Sequence, residues 1–273
     1  MARIVIYGKG GIGKSTVAAS LSVVYAMKGL KVLHVGCDPK HDSAASLVPG
    51  GLVETFLQKH RRVAGIRDLP PLTAEDILAR GRHGIECVEA GGPEPGFGCA
   101  GRGIALMLEA FEGLDLLGSG RHDVAIFDAL GDIVCGGFAA PMRKGFAELA
   151  VVLVSEELMS LYAANNLARS IRAYAGDGAR LAGLVVNLRD PEADKAKPER
   201  FAKLLGTRIL GFVPRDPAVR EAENARAVTA VELVPSSPFA KSLRSLAETL
   251  LKIRRQDCPV PTPMDDEAFR GDW

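Results

Sequence analysis

Residues 8–15 read Gly8-Lys9-Gly10-Gly11-Ile12-Gly13-Lys14-Ser15, and this stretch decides the fold. It fits G-x-x-x-x-G-K-[S/T], the phosphate loop. An apolar run, Arg3–Tyr7, precedes it. After it Val17, Leu21, Val24 and Tyr25 recur at helical spacing over Lys14–Lys28. Strand, glycine turn and helix are the context in which the motif works. The glycines let the chain curl with its N–H groups inward, and the helix N-terminus adds partial positive charge. The pattern predicts that Gly8 to Thr16 hold a nucleotide's phosphates. Lys14 should reach the β- and γ-phosphates and the Ser15 hydroxyl should bind Mg²⁺. A chance glycine-rich turn would lack these flanking supports.

Working outward, Lys31–Gly36, Val124–Phe127, Ala150–Val154, Leu181–Asn187 and Ile209–Phe212 are further apolar runs. Helical patterns such as Leu158–Tyr174 lie between them. Continuous Val, Ile and Leu runs alternating with helices imply a parallel sheet covered on both faces. The expected fold is an α/β phosphate-loop NTPase: a single domain over residues 1–256, with a mostly parallel central sheet flanked by helices. Residues 49–83, with Pro49, Pro70 and Pro71, read as a surface excursion. The C-terminal tail, 257–273, has three prolines and four acidic residues after Cys258 and is expected to be an extended arm or disordered. Such sheets bind ligands beyond the carboxyl ends of their strands, so the loops after Tyr7, Gly36 and Phe127 should carry the chemistry.

Composition narrows the function. The 273 residues are 47% hydrophobic and 25% charged with a net charge of +1, which suits a globular core and offers no footprint for nucleic acid. No apolar stretch reaches membrane-spanning length, and residues 1–7 lead straight into the glycine loop. The expectation is a cytoplasmic protein without membrane or nucleic-acid partners. The five cysteines, Cys37, Cys87, Cys99, Cys135 and Cys258, form no C-x-x-C. A reducing compartment disfavours disulfides, so a metal site would need distant cysteines or more than one chain.

Two acidic loops follow strands. Asp38 and Asp42 lie in the run Cys37 to Ser43, and Asp128 and Asp132 in the run Phe127 to Asp132. A γ-phosphate with Mg²⁺ needs carboxylates to order the metal's water shell and to orient the attacking water. Asp128 has the strand-end position beside the metal, and the Gly131 N–H is placed to meet the γ-phosphate. Each Asp alone reads equally as a cap or turn residue; the four together favour the metal reading. Cys99 and Cys135 sit among glycines, a surround that suits an iron–sulfur cluster accepting N–H bonds. Two thiolates per chain give four in a symmetric dimer. Spacing alone leaves open a pair of buried structural cysteines. Cys135 follows Asp132 by three residues, so a loop sensing the γ-phosphate runs directly into the candidate ligand. Cys37 and Cys87 read as structural, and Cys258 as incidental.

The segments YGKGGIGKST (7–16), GCDPKHDS (36–43), ECVEAGGPEPGFGCAGRG (86–103), DALGDIVCGGFAAPMR (128–143), LYAANNLARSI (161–171) and FVPRDPAV (212–219) resemble the nitrogenase iron protein (dinitrogenase reductase) family and its nitrogenase-like relatives. The resemblance runs from Ile4 to about Leu251. It implies an ATP-hydrolysing oxidoreductase component that binds ATP or ADP and Mg²⁺. It also implies a homodimer bridged by one [4Fe–4S] cluster on Cys99 and Cys135. Electrons would come from a ferredoxin or flavodoxin and pass to a separate catalytic component. Lys9, the early lysine of deviant phosphate-loop ATPases, would cross the dimer to the partner's nucleotide. Catalytic roles fall to Lys9, Asp38 and Asp132, the last orienting the attacking water. Mg²⁺ falls to Ser15, Asp38, Asp42 and Asp128. Asn187 matches the adenine-recognising position, and Pro214, Arg215 and Asp216 match the loop packed on the base. Arg102 matches the docking-face arginine that some relatives ADP-ribosylate.

There are departures from the family pattern. His41 replaces the usual alanine and looks like the dark-operative protochlorophyllide reductase ATPase. Ala129 is smaller than usual, residues 44–83 match poorly and the tail is unfamiliar. These departures favour a nitrogenase-like reductase, for example of the methylthio-alkane type. A true nitrogenase iron protein, or a tetrapyrrole (chlorophyllide, protochlorophyllide or nickel-porphinoid precursor) reductase ATPase, is the alternative. A partitioning or division-site-positioning ATPase is the alternative of another class. It shares the early lysine and often a basic amphipathic C-terminal helix, and Pro238–Arg255 is amphipathic, but it has no use for Cys99 and Cys135.

Overall fold

A computed structural model describes residues 1–63, 72–93, 101–131, 136, 139–190, 192–225 and 228–271. The first strand, β1, spans Ala2–Gly8. Its Ile4 and Ile6 enter one core and Val5 and Tyr7 the other, all fully buried. Burial on both faces is why the run reads as continuously apolar. Helix α1 (Lys14–Met27) follows the glycine loop, then β2 (Val32–Cys37), α2 (Phe56–Val63), α3 (Ala74–Ile77), β3 (Ala79–Arg80) and β4 (Glu86–Glu89). Next come α4 (Gly101–Gly113), β5 (Val124–Ala129), β6 (Leu149–Val154), α5 (Leu158–Tyr174), β7 (Arg180–Asn187), α6 (Ala196–Leu204) and β8 (Ile209–Val213). Four helices close the chain: α7 (Pro217–Ala225), α8 (Ala230–Leu233), α9 (Pro238–Lys252) and α10 (Asp266–Arg270).

The eight strands form one sheet in the order β3-β4-β2-β5-β1-β6-β7-β8, parallel except for the antiparallel edge pair β3·β4. Helices α1, α7, α8 and α9 cover one face, and α2 to α6 with α10 cover the other. Strands β1, β5, β6, β7 and β8 extend the apolar runs expected for them by one or two residues, and β2 is shifted by one residue toward its C-terminus. The strand order reverses around β1 and β5, which brings the loops after β1, β2 and β5 together at the carboxyl edge. Among the described residues no helix is long and apolar enough to cross a membrane.

Two segments are more firmly held than expected. Within 49–83, Phe56 and Ile77 are each 1% exposed in the core, so the excursion is nailed to the sheet. The tail docks along α5 instead of standing free. Asn165 exchanges two hydrogen bonds with the Met264 backbone, at 2.8 and 2.9 Å, and Arg169 reaches Met264 O and Asp266. Phe269 lies edge-on to Tyr162 at 5.2 Å and Phe201 at 6.4 Å. Burying one such ring is worth about 2–3 kcal/mol, which adds to these hydrogen bonds in seating the tail.

Candidate nucleotide site and its switch loops

The phosphate loop owes its shape to glycines at two tight places. Gly13 enters α1 at φ 100°, and a Cβ there would sit 2.7 Å from Asn187 Nδ2. Gly8 lies against Leu153 O, where a Cβ would come within 2.5 Å. Side chains from the end of β7 hold the loop from the other side. Asn187 Nδ2 donates to Ile12 O at 2.7 Å and Arg189 Nη2 to Gly11 O at 2.6 Å. Lys14 is only 8% exposed, and its ammonium donates to Lys9 O at 3.3 Å.

A cleft of about 770 Å³ opens above this loop. The phosphate loop from Gly10 to Thr16 forms its floor, Asp38 and Asp42 one wall, Gly131 another, and Asn187 with Pro214 to Asp216 the far end. The sequence-named residues therefore largely converge. Gly8 and Ile12 are buried beneath the loop. Lys9 does not line this cleft but a second hollow beside Met159, Tyr162 and Asn166 of α5. Arg102 is exposed in the first turn of α4. Asp132, Cys99 and Cys135 lie outside the described residues. The Asp216 carboxylate accepts the backbone N–H groups of Ala218 at 3.0 Å and Phe239 at 2.9 Å. It thus ties the starts of α7 and α9 while its residue borders the cleft.

The loop after β5 rests directly on the phosphate loop. A Cβ on Gly131 would lie 2.6 Å from Gly10 N. Gly131→Ala should therefore push the two loops apart, at about 1–3 kcal/mol of nucleotide affinity. Calorimetry with MgADP checks this, and unchanged affinity would show that the contact is slack.

Behind the floor lie buried carboxylates. Burial raises the Asp128 pKa, while hydrogen bonds from Ser15 and Ser43 and the Lys14 charge pull it back. Its Oδ2 accepts from Ser43 Oγ at 2.6 Å, and its Oδ1 has no partner. Glu89 is a site residue that sequence reasoning missed. Burial pushes its carboxyl up to about 8, and one oxygen accepts Ala44 N–H at 2.6 Å. It faces Gly36, its register partner, where any Cβ would overlap the carboxylate. That glycine opposite an acid at a strand end was the available signal. Arg189, two residues beyond Asn187, was missed as well.

Among the described residues no three His, Cys, Asp or Glu side chains gather as a metal cage. This donor set fits Mg²⁺, which keeps most of its waters and takes few protein ligands. Ser15, which bonds to the buried Asp128 carboxylate, would serve it. The described cysteines do not suit iron. Cys37, Cys87 and Cys258 are buried, and burial drives all three thiols upward, Cys87 to about 12. Thiolates, not thiols, ligate metal.

The chain matches the family described as 4Fe-4S iron sulfur cluster binding proteins, NifH/frxC family, over residues 2–271. It is 42% identical to the "Nitrogenase iron protein" of Methanospirillum hungatei JF-1, covering 98% of this chain and 94% of that protein. It is also 42% identical to "Nitrogenase iron protein 2" of Methanothermobacter thermautotrophicus, with 98% and 96% covered. Among solved structures, the septum site-determining protein MinD with Mg-ADP from Pyrococcus horikoshii aligns at TM-score 0.70 and 22% identity, covering 92% of this chain and 97% of that one. The MinD of Pyrococcus furiosus aligns at TM-score 0.68 and 23% identity, covering 92% and 99%. At that identity the likeness is one of fold.

Proposed function

Because the chain belongs to the NifH/frxC family of 4Fe–4S iron–sulfur cluster-binding proteins, we propose that it is the ATP-hydrolysing electron-donor component of a nitrogenase-type complex. In this reading it is a homodimer with one cluster between its subunits. The observation that carries the reading is the contact of Gly131 on Gly10. The next residue is Asp132, and Cys135 follows by three. In sequence, the candidate cluster ligand lies four residues after the Gly131 contact, so the two are linked along a short stretch of chain. When bound, the cluster stores and releases single electrons.

The residues then divide the work. Lys14 and the loop N–H groups take the phosphates, and Ser15, with Asp38, Asp42 and Asp128 behind it, takes Mg²⁺ and its waters. Asp132 orients the attacking water. Lys9, turned away from its own cleft, is the residue offered to the partner's nucleotide. Asn187 and Pro214 to Asp216 border the base. Arg102 belongs to the face that docks the catalytic component. A ferredoxin or flavodoxin would serve as electron donor. Asp132→Asn should keep MgATP binding while slowing hydrolysis by roughly 10²-fold or more. Single-turnover phosphate release measures it, and native turnover would pass the role to another carboxylate.

The named relatives favour a nitrogenase iron protein as the finer reading, with dinitrogen the partner's substrate. They lend no support to the methylthio-alkane type expected from sequence. One observation keeps a nitrogenase-like reductase as the second reading: His41, at φ 49° in the first switch loop, stands where the family has alanine. A partitioning or division-positioning role loses its ground, because its likeness to this chain is one of fold alone. Anaerobic purification through a tag on this chain tests both levels. The co-purifying catalytic component, identified by its metal content and substrate, decides between the finer readings. A colourless, metal-free protein after anaerobic reconstitution would overturn the coarser one.

A further inference from the structure

Beneath the first switch loop runs a chain of buried hydrogen bonds. His34, in β2, is wholly buried among apolar neighbours. Its Nδ1 lies 2.9 Å from Ser22 Oγ of α1, and its Nε2 lies 2.8 Å from Ser43 Oγ. Ser43 reaches Asp128 Oδ2 at 2.6 Å. A buried imidazole is costly unless both nitrogens are paired, and here both are.

The directions of these bonds follow from the donor inventory. A carboxylate only accepts, so the Ser43 hydroxyl donates to Asp128. The Ser43 oxygen then accepts from His34 Nε2–H. That leaves His34 Nδ1 bare, to accept the Ser22 hydroxyl proton. Burial pushes the imidazole down to about 4, which keeps the ring neutral with a single N–H. Every donor in the chain therefore points toward Asp128. The neighbouring residue is pinned too, by Ala44 N–H on Glu89 at 2.6 Å. The other Asp128 oxygen is left buried without a partner.

We infer that His34 is a positioning residue for MgATP hydrolysis. It fixes the Ser43 hydroxyl so that one Asp128 oxygen is held from behind and the other stays open to the metal's water shell. The inference rests on the proposal that Asp128 serves the metal side of the nucleotide site. In this arrangement residues 43 and 44 form the fixed end of the loop whose Asp38, Lys40 and Asp42 line the cleft.

The test compares His34→Leu, His34→Gln, Ser43→Ala and the Leu/Ala double variant as cluster-loaded protein. Three quantities are read: the Mg²⁺ concentration for half-maximal ATP hydrolysis, the affinity for ADP without Mg²⁺, and the melting temperature. His34→Leu should raise the Mg²⁺ requirement roughly two- to tenfold, the worth of one hydrogen bond to a neutral hydroxyl. Metal-free ADP affinity should stay native. Ser43→Ala should give the same rise, the double variant no more than either single one, and His34→Gln, which keeps an N–H donor, a smaller rise. A native Mg²⁺ requirement in His34→Leu, or additive effects in the double variant, would overturn the inference. Should His34→Leu not fold, Ser43→Ala decides: a native requirement there overturns it equally. Wild-type hydrolysis without any Mg²⁺ dependence would instead sink the underlying metal assignment.

Discussion

Lys14→Ala is expected to abolish working MgATP binding, weakening affinity roughly 10²- to 10⁴-fold, because two charge-assisted phosphate contacts disappear together. The side chain is preset for that task. It is 8% exposed, and its ammonium is held at 3.3 Å by the Lys9 carbonyl at the loop's start. Little side-chain entropy remains to be lost when phosphate arrives. Lys14 also lowers the pKa of Asp128, which burial raises. Alanine would therefore remove both the phosphate ligand and a positive charge that offsets the effect of burial on the metal-side carboxylate. Helix α1 itself should survive, since Val17, Leu21 and Val24 carry its packing and alanine is a good helix former. Calorimetry with MgADP and a melting curve separate the two effects. Near-native nucleotide affinity would mean that the cleft over residues 10–16 is not the phosphate site.

The reach of sequence reasoning was set by range. Strands buried on both faces announce themselves as apolar runs, so β1, β2, β5, β6, β7 and β8 were legible, and α5 was legible to its end residues. The phosphate loop was legible because its chemistry is local: glycines, lysine and hydroxyl lie within nine residues (8–16). What stayed hidden depends on partners far along the chain. Glu89 in a short strand reads as an ordinary exposed acid until Gly36 is found opposite it. Phe269 reads as part of a loose tail until Tyr162 and Phe201 meet it. Two-residue β3 is too short for any periodicity to register. His34 interrupts an apolar strand, and only the fold supplies Ser22 and Ser43 to its two nitrogens. Asn187 was legible as a site position, but its bond to the phosphate loop was not.

Cys99→Ser and Cys135→Ser are each expected to empty the dimer of iron, from about four atoms per two chains to near none, because a [4Fe–4S] cluster needs four thiolates. The described cysteines offer no replacement: all three are buried with thiols driven upward. The described framework favours these two positions. Gly101 opens α4, and Gly103 packs that turn so closely on Leu57 that a Cβ would come within 2.5 Å. Cys99 is thus tethered two residues from a firmly seated helix end. Cys135 is tethered to the Gly131 contact by four residues, a span of at most about 14 Å. Losing the cluster should also loosen the dimer, visible as a shift toward monomer in anaerobic sedimentation. MgADP affinity should stay within a few-fold of native, since these substitutions leave the residues that line the described cleft unchanged; this sets the cysteine variants apart from Lys14→Ala. Full iron content in either variant, or iron that travels with the monomer, would end the account of a redox centre shared between two copies of this chain.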